Sequence, residues 1–575
     1  QGSRTNHLRH NDVPRAGMMS YTRILFLMAY VAYLFTFLVH SQAVARDQLV
    51  IGITQFPATL NPNINSMLAK SYVLNMALRP FTTYDQNWNL ICLLCTELPT
   101  IENGLAKPET LPNGDTGVRI TYTIQPKARW GDGRSVTTSD VIFTWEVGRH
   151  EKSGFSGLEG YRRILNVEAI DDKTFSLLID RLSYNYNALN NFYIIPSHLE
   201  TAAFAEPSEY RHRTTYDTEP SHPGLYFGPY KIVSVESGAQ IVLERNRHWF
   251  GSEPYFKRIV VRVIENTAAL EANLLSGAID YIAGELGFTI EQALSFDRRK
   301  GDGYNTMYKS GLIYEHLDIN LENPIFADRR VRQALLYSLN RSQLVSLLFG
   351  GRQTVAHTNI SPLDQIHSED VPIYSYDLNK ASELLDSAGW TVLRDGIRHN
   401  SDGTRLSFSL MTTAGNKSRE LVQQVLQSQW REAGIEAIIR NEPARVFFGE
   451  TMTKRANKGL SMYAWLSTPE SLPLTTLRSD NIPSSKNGWS GQNYPGYSNP
   501  EMDKLIDTIE VELDPTKRLP LWAKLQHLYA TDLPAIPLFF RAEAYFFPKW
   551  LKGVRPTGHM STTTTWVEEW TAEKE

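Results

Sequence analysis

Between Val118 and Thr144 the hydrophobic period of the chain changes in mid-segment. Val118, Ile120, Tyr122 and Ile124 occupy every second position, the pattern of a strand with one face on a core. Gly131-Asp132-Gly133 follows as a tight turn where positive φ costs little. Thr137 and Asp140 then stand three apart, a helix-entry box ahead of Val141, Ile142, Phe143 and Trp145. This segment is scaffold, with no nucleophile, base or metal set.

The same reading places elements along the rest of the chain. Leu49-Val50-Ile51-Gly52-Ile53 predicts a buried strand, followed by Phe56-Pro57 and Leu60-Asn61-Pro62. A strand rich in β-formers spans 174–179, and 205–224, polar with three prolines, reads as a loop. Strands are expected at 228–232, 241–246 and 259–264, then a helix over 270–275. A second region opens near Tyr314 with strand 317–320. Val331, Ala334, Leu335 and Leu339 follow on one helix face. Leu378, Ala381, Leu385 and Ala388 form another stripe, stopped by Gly389. Strand 406–410, helix 418–432 and strand 435–439 form a crossover unit whose length implies parallel pairing. Helices over 502–509 and 518–529 precede a strand at 533–539 with prolines at its entry. There is no internal repeat.

The first 45 residues read as separate from the fold. After Met18, Met19 and Arg23, residues 24–39 are almost entirely apolar, and Ala43-Val44-Ala45 offers a cleavage site. This is the pattern of a secretory signal peptide, shorter than the roughly 20 residues a membrane span needs. Residues 1–17 read as an upstream tail. The expected home is a Gram-negative periplasm, and without a cysteine at the cleavage site no lipid anchor is expected. About 530 residues remain, more than one ordinary core, so two or three domains are expected. A net charge of -4 without a basic block argues against nucleic acid. The two cysteines, Cys92 and Cys95, leave open a local disulfide, a pair of buried thiols or redox chemistry.

The order of residues in the opening segment resembles the signature of the family 5 extracellular solute-binding proteins, the peptide- and nickel-type receptors of ABC importers. Arg129, Trp130, Asp132-Gly133, Thr137, Asp140-Val141 and Phe143 carry the match, with Thr138 in place of the usual Ala. Gly228-Pro229-Tyr230, Asp328 to Leu335, Asp377 to Gly389 and Pro500 to Ile506 extend it over nearly the whole mature chain. The resemblance implies an α/β, two-lobed periplasmic-binding-protein fold (class II, cluster C type) with an extra subdomain and two crossover hinge strands. Lobe I would comprise 46–80, 225–305 and 540–575, with 81–224 as its added subdomain, and 310–535 would be lobe II. It further implies a small solute of the peptide class, an inner-membrane ABC permease as partner, a monomer, and no cofactor.

Three segments carry the resemblance to a ligand cleft. A strand edge near Ser66, Met67 and Leu68 would meet peptide backbone. The loop holding Asn416 and Arg419 offers helix-start N–H groups to an anion, or is an ordinary capped helix. The third runs Tyr463 to Glu470, where the family has an aspartate three residues after the tryptophan; here Thr468 follows Trp465, with Ser467 between and Glu470 beyond. Trp489, Asn493 and Tyr494 would border the cleft. Neither a catalytic motif nor a metal-ligand set stands out, so an enzyme is not expected. The remaining alternatives are a receptor for a non-peptide solute (opine, metal chelate, oligosaccharide), a CxxC redox protein and a signalling adaptor.

Overall fold

The computed structural model describes residues 46–64, 67–443, 446–487 and 491–573. The expected signal peptide and upstream tail, Ser66 and Trp489 lie outside the described residues. Asp47 to Glu573 form one compact unit.

Two open sheets dominate that unit. The first has five strands, in the spatial order Tyr281–Ile282, Gln48–Ile53, Arg258–Val263, Gln240–Arg245 and Tyr230–Glu236. Gln48–Ile53 runs parallel to both its neighbours, and Leu49, Ile51 and Ile53 are fully buried. The second sheet has six strands: Thr354–Val355, Ala535–Pro548, Tyr304–Ile319, Leu460–Trp465, Ser407–Met411 and Glu436–Ile439. The expected crossover is present, with Ser407–Met411 and Glu436–Ile439 pairing in parallel around helix Lys417–Glu432.

A four-stranded antiparallel sheet carries the signature segment. Strand Thr116–Thr123 buries Val118, Ile120 and Tyr122, and Ile124 just beyond it, as the alternation requires. Gly133 holds φ at +94°, and Thr137 and Asp140 form the capping box of helix Thr138–Arg149. Asp140 also accepts from the indole of buried Trp130, at 3.1 Å, so one carboxylate ties the turn to the helix. Cys92 and Cys95 are joined as a disulfide at the edge of this region.

Residues 205–224 differ from expectation. They form helical turns Tyr210–Arg213, Thr215–Thr218 and Pro223–Leu225 rather than a surface loop. Tyr210, Tyr216 and Thr214 are buried, and the buried Glu200 carboxylate accepts from the Tyr210 hydroxyl, from Thr214 Oγ1 at 2.8 Å and from Thr215 N at 2.8 Å. A polar composition thus folds inward because its groups satisfy one another.

The two longest strands, Tyr304–Ile319 and Ala535–Pro548, pair antiparallel from Tyr304 opposite Pro548 to Asp318 opposite Ala535. Only 317–320 is legible from periodicity, because the strand's first half mixes Asn305, Thr306, Lys309 and Ser310 with apolar residues. The register slips at Gly311-Leu312, which bulge out of the first strand. Leu312 N donates to Gly558 O at 2.8 Å, and a Cβ on Gly311 would stand 2.3 Å from that carbonyl oxygen. We expect Gly311→Ala to destabilise the fold by about 1–3 kcal/mol, the usual cost of overpacking. Gly303→Ala, where an added Cβ meets nothing, should leave the thermal midpoint almost unchanged.

Candidate ligand site

Two cavities flank the paired long strands, one for each face. The first, of about 180 Å³, takes Leu312, Tyr314, His316 and Asp318, alternate residues of a single strand and hence one face of it. Trp465, Ser467 and Thr468 enter from the end of the neighbouring strand, and Tyr529 from helix Pro515–Asp532.

An aromatic stack forms one wall. The His316 ring lies parallel to Tyr314 (4.8 Å, 5°) and nearly parallel to Trp465 (6.4 Å, 17°), which in turn stacks on Tyr494 (6.2 Å, 15°). The hydroxyls of Tyr314 and Tyr529 meet at 3.0 Å, and the Tyr463 hydroxyl donates to Asp318 Oδ2. Burial, with the carboxylate of Asp318 adding to it, pushes the Tyr463 phenol well up, so this bond keeps its proton. Rigid, proton-locked aromatics of this kind offer a preformed apolar surface.

The second cavity, of about 190 Å³, lies on the other face. Thr54, Gln55 and the stretch from Gly284 to Ile290 line it from the side of the five-stranded sheet; Glu315, Asn416, Arg419, Arg541 and Glu543 line it from the other. Burial pushes Glu315 up, but Arg419 (2.6 Å) and Arg541 (3.7 Å) outweigh it and hold its carboxyl below the usual range. Burial raises Glu285, and the carboxylate of Glu543 adds to it. Burial likewise raises Glu543, against the opposing pull of the Tyr545 hydroxyl and Arg541. Oε1 of Glu285 accepts from Thr563 N and Oγ1, each at 2.7 Å, whereas Oε2 is buried without a partner.

The expected site residues divide between these cavities. Trp465, Ser467 and Thr468 line the first; Tyr494 backs Trp465. Glu470 stands at its rim with φ at +53°, held by four bonds. Its N–H donates to Asp364 at 2.9 Å and its carbonyl accepts from the Tyr184 hydroxyl. Its carboxylate takes Gln365 and, at 3.5 Å, Arg518. Asn493 is buried and spends its amide on the carbonyls of Arg478 and Tyr497, so it builds the loop instead of facing a ligand.

Two readings need correction. Asn416 caps helix Lys417–Glu432 by accepting from Arg419 N at 3.1 Å, and the Arg419 side chain pairs with Glu315, so this loop has the form of an ordinary capped helix. Met67 precedes helix Leu68–Leu74 and Leu68 begins it, so no strand edge lies there. Ala69, Tyr72 and Val73 turn one face of that helix into the core, a spacing of three and four that suits helix and not strand. Sequence reasoning also missed Asp318, His316 and Asp364. The first two carried a signal, polar residues inside a strand otherwise destined for burial; Asp364 carried none.

The segment of the four-stranded sheet also contacts helix Pro500–Val511. Glu510, 4% exposed, receives Arg163 and Arg181, each at 2.9 Å, and its carbonyl accepts from Tyr184 N at 2.8 Å. Among the described residues no group of three or more His, Cys, Asp or Glu side chains is placed to hold a metal ion.

Two sheets whose cores both take residues from the long strand Ala535–Pro548, with preformed cavities on both faces of the long-strand pair, define a two-lobed solute-binding protein. Residues 100–481 match the family described as bacterial extracellular solute-binding proteins, family 5 Middle, and the chain belongs to that family. It is 26% identical over 517 residues to the oligopeptide-binding protein AppA of Bacillus subtilis, covering 88% of each chain. Among solved structures it resembles the oligopeptide-binding protein of Thermus thermophilus complexed with a pentapeptide. That match has a TM-score of 0.77 and 30% identity, covering 92% of this chain and 96% of that one. The fold is shared with NikZ of Campylobacter jejuni in complex with Ni(L-His), with a TM-score of 0.75, 21% identity, and coverage of 92% and 100%.

The Glu285–Glu543 pair has a consequence for stability. Both carboxyls hold protons in the folded state at pH values where the unfolded chain has lost them, so stability falls as pH rises above the ordinary carboxylate range. The thermal midpoint should therefore drop between pH 5 and pH 8, and Glu285→Gln should flatten that slope, as read by calorimetry across the range.

Proposed function

We propose that the protein is the periplasmic receptor of an ABC importer, capturing a peptide or peptide-like solute and delivering it to an inner-membrane permease. The observation that carries this reading is the stretch from Trp465 to Thr468, where the family resemblance and the aromatic-walled cavity coincide. Relatives named for oligopeptide binding, and a neighbour in complex with a pentapeptide, support the peptide class. In this reading 46–80, 225–305 and 540–575 form one lobe, 81–224 its subdomain and 310–535 the other lobe. The two long strands act as the hinge. Solute that contacts both lobes favours the closed form by its differential affinity, and the permease reads that form. The protein works as an exported monomer without catalysis or cofactor.

Native mass spectrometry of protein purified without refolding tests the proposal. The expected result is a ladder of bound masses that fragment as peptides. A single non-peptide mass would remove the peptide assignment and leave the receptor assignment in place.

A further inference from the structure

Glu470 takes a backbone conformation that L side chains disfavour, with φ at +53°. It lies between Thr468 and Ser471, which both line the first cavity, so its geometry sets the course of that wall. Both of its peptide groups are pinned. The N–H donates to Asp364 Oδ2 at 2.9 Å, and the carbonyl accepts from the hydroxyl of Tyr184. Asp364 is itself a lining residue. Tyr184 comes from elsewhere, the turn that follows strand Thr174–Ile179 of the four-stranded sheet.

That turn is seated on helix Pro500–Val511 by bonds of its own. Tyr184 N donates to the Glu510 carbonyl at 2.8 Å, while the buried Glu510 carboxylate receives Arg163 and Arg181. Both ends of the turn stay tied to its own sheet. Arg163 also holds Asp180 at 3.2 Å, and Leu182 N donates to the Thr116 carbonyl at 3.1 Å. The Tyr184 ring lies 4.5 Å from the Arg518 guanidinium and packs against the apolar cluster that holds Ile360, Leu477, Ile509 and Trp522. Ile360 and Leu477 line the first cavity as well. Burial, with the charge of Glu470 adding to it, pushes the Tyr184 phenol well up, so its hydroxyl stays a donor.

We propose that Tyr184 is a positioning residue of the solute site. Seated by Glu510 between two guanidinium groups, it fixes Glu470 at positive φ and with it the wall from Thr468 to Pro473. The proposal rests on the receptor reading above. Neither Tyr184 nor Glu470 lines the cavity, so the effect reaches solute through the backbone. A residue held at positive φ by its surroundings relaxes when one tie is cut, and a loosened wall binds less tightly than a preformed one. Tyr186 provides the comparison. It stands two residues on, and its hydroxyl accepts from Ile101 N at 3.1 Å, a bond that does not involve the cavity wall.

Hydrogen exchange read by mass spectrometry on the purified full chain tests the tie, with Tyr184→Phe, Glu510→Gln and Tyr186→Phe beside wild type. Segment 466–473 should exchange about tenfold faster in the first two variants and at the wild-type rate in Tyr186→Phe. Segment 116–123, unchanged in all three, reports that each variant folds. Equal exchange of 466–473 in wild type and Tyr184→Phe, or equal acceleration by Tyr186→Phe, would overturn the proposal. Calorimetric titration with a mixed pool of tripeptides to pentapeptides then reads the site. Tyr184→Phe should weaken binding about fivefold, and Tyr186→Phe should leave it as in wild type. Unchanged affinity in Tyr184→Phe overturns the role in binding. If the pool fails to bind even wild type, the peptide reading fails, and exchange of 466–473 alone decides whether Tyr184 positions the wall.

Discussion

The antiparallel pairing of Tyr304–Ile319 with Ala535–Pro548 is the constraint on which the rest of the molecule depends. Its second strand serves two cores at once. Tyr545 and Phe547 belong to the core of the five-stranded sheet, while Ala542, Ala544 and Phe546, the alternate positions, belong to that of the six-stranded sheet. A strand buried on both faces cannot alternate apolar with polar, which explains the run Ala-Ile-Pro-Leu-Phe-Phe at its start and Tyr-Phe-Phe near its end. One hydrogen-bonded ladder thus supports both cores. Gly284, just after strand Tyr281–Ile282, shows how closely the chain approaches it, since an added Cβ would stand 2.2 Å from the ring of Tyr545.

The same two-sidedness distributes the chemistry. On the first strand His316 and Asp318 point to one cavity and Glu315, between Tyr314 and His316, to the other. The cavities differ in kind because their partners differ. One is lined by aromatic rings and carboxylates with no lysine or arginine among them; the other faces arginines that satisfy Glu315 and two buried acids. Adjacent residues of one strand therefore serve separate electrostatic environments.

Local chemistry was legible wherever one face of an element is buried. The alternation at 118–124, the capping box at Thr137 and Asp140, and the crossover around helix Lys417–Glu432 follow from period and turn residues. It failed where tertiary partners decide. The polar half of Tyr304–Ile319 is a strand because its backbone has partners on Ala535–Pro548, and 205–224 folds inward because Glu200, ten residues before Tyr210, supplies acceptors. At the site, Trp465 and Thr468 were legible only through a resemblance. Asp364 was not, since Pro362-Leu363-Asp364-Gln365 has no period and meets the Trp465 cavity only through the fold.

Glu510 has a wider consequence. Its carboxylate sits between two guanidinium groups brought by Arg163 and Arg181, from a part of the chain more than three hundred residues away. Any rearrangement that parts these segments must expose one anion and two cations, and dissolved counterions compensate what the protein gives up. Tyr184, beside them, packs against the apolar cluster that holds Ile509 and Trp522, so an apolar contact is lost together with the ion pairs. The electrostatic part of holding the segment around Arg163 and Arg181 on helix Pro500–Val511 therefore weakens as ionic strength rises, a variable set by the surroundings rather than by a solute.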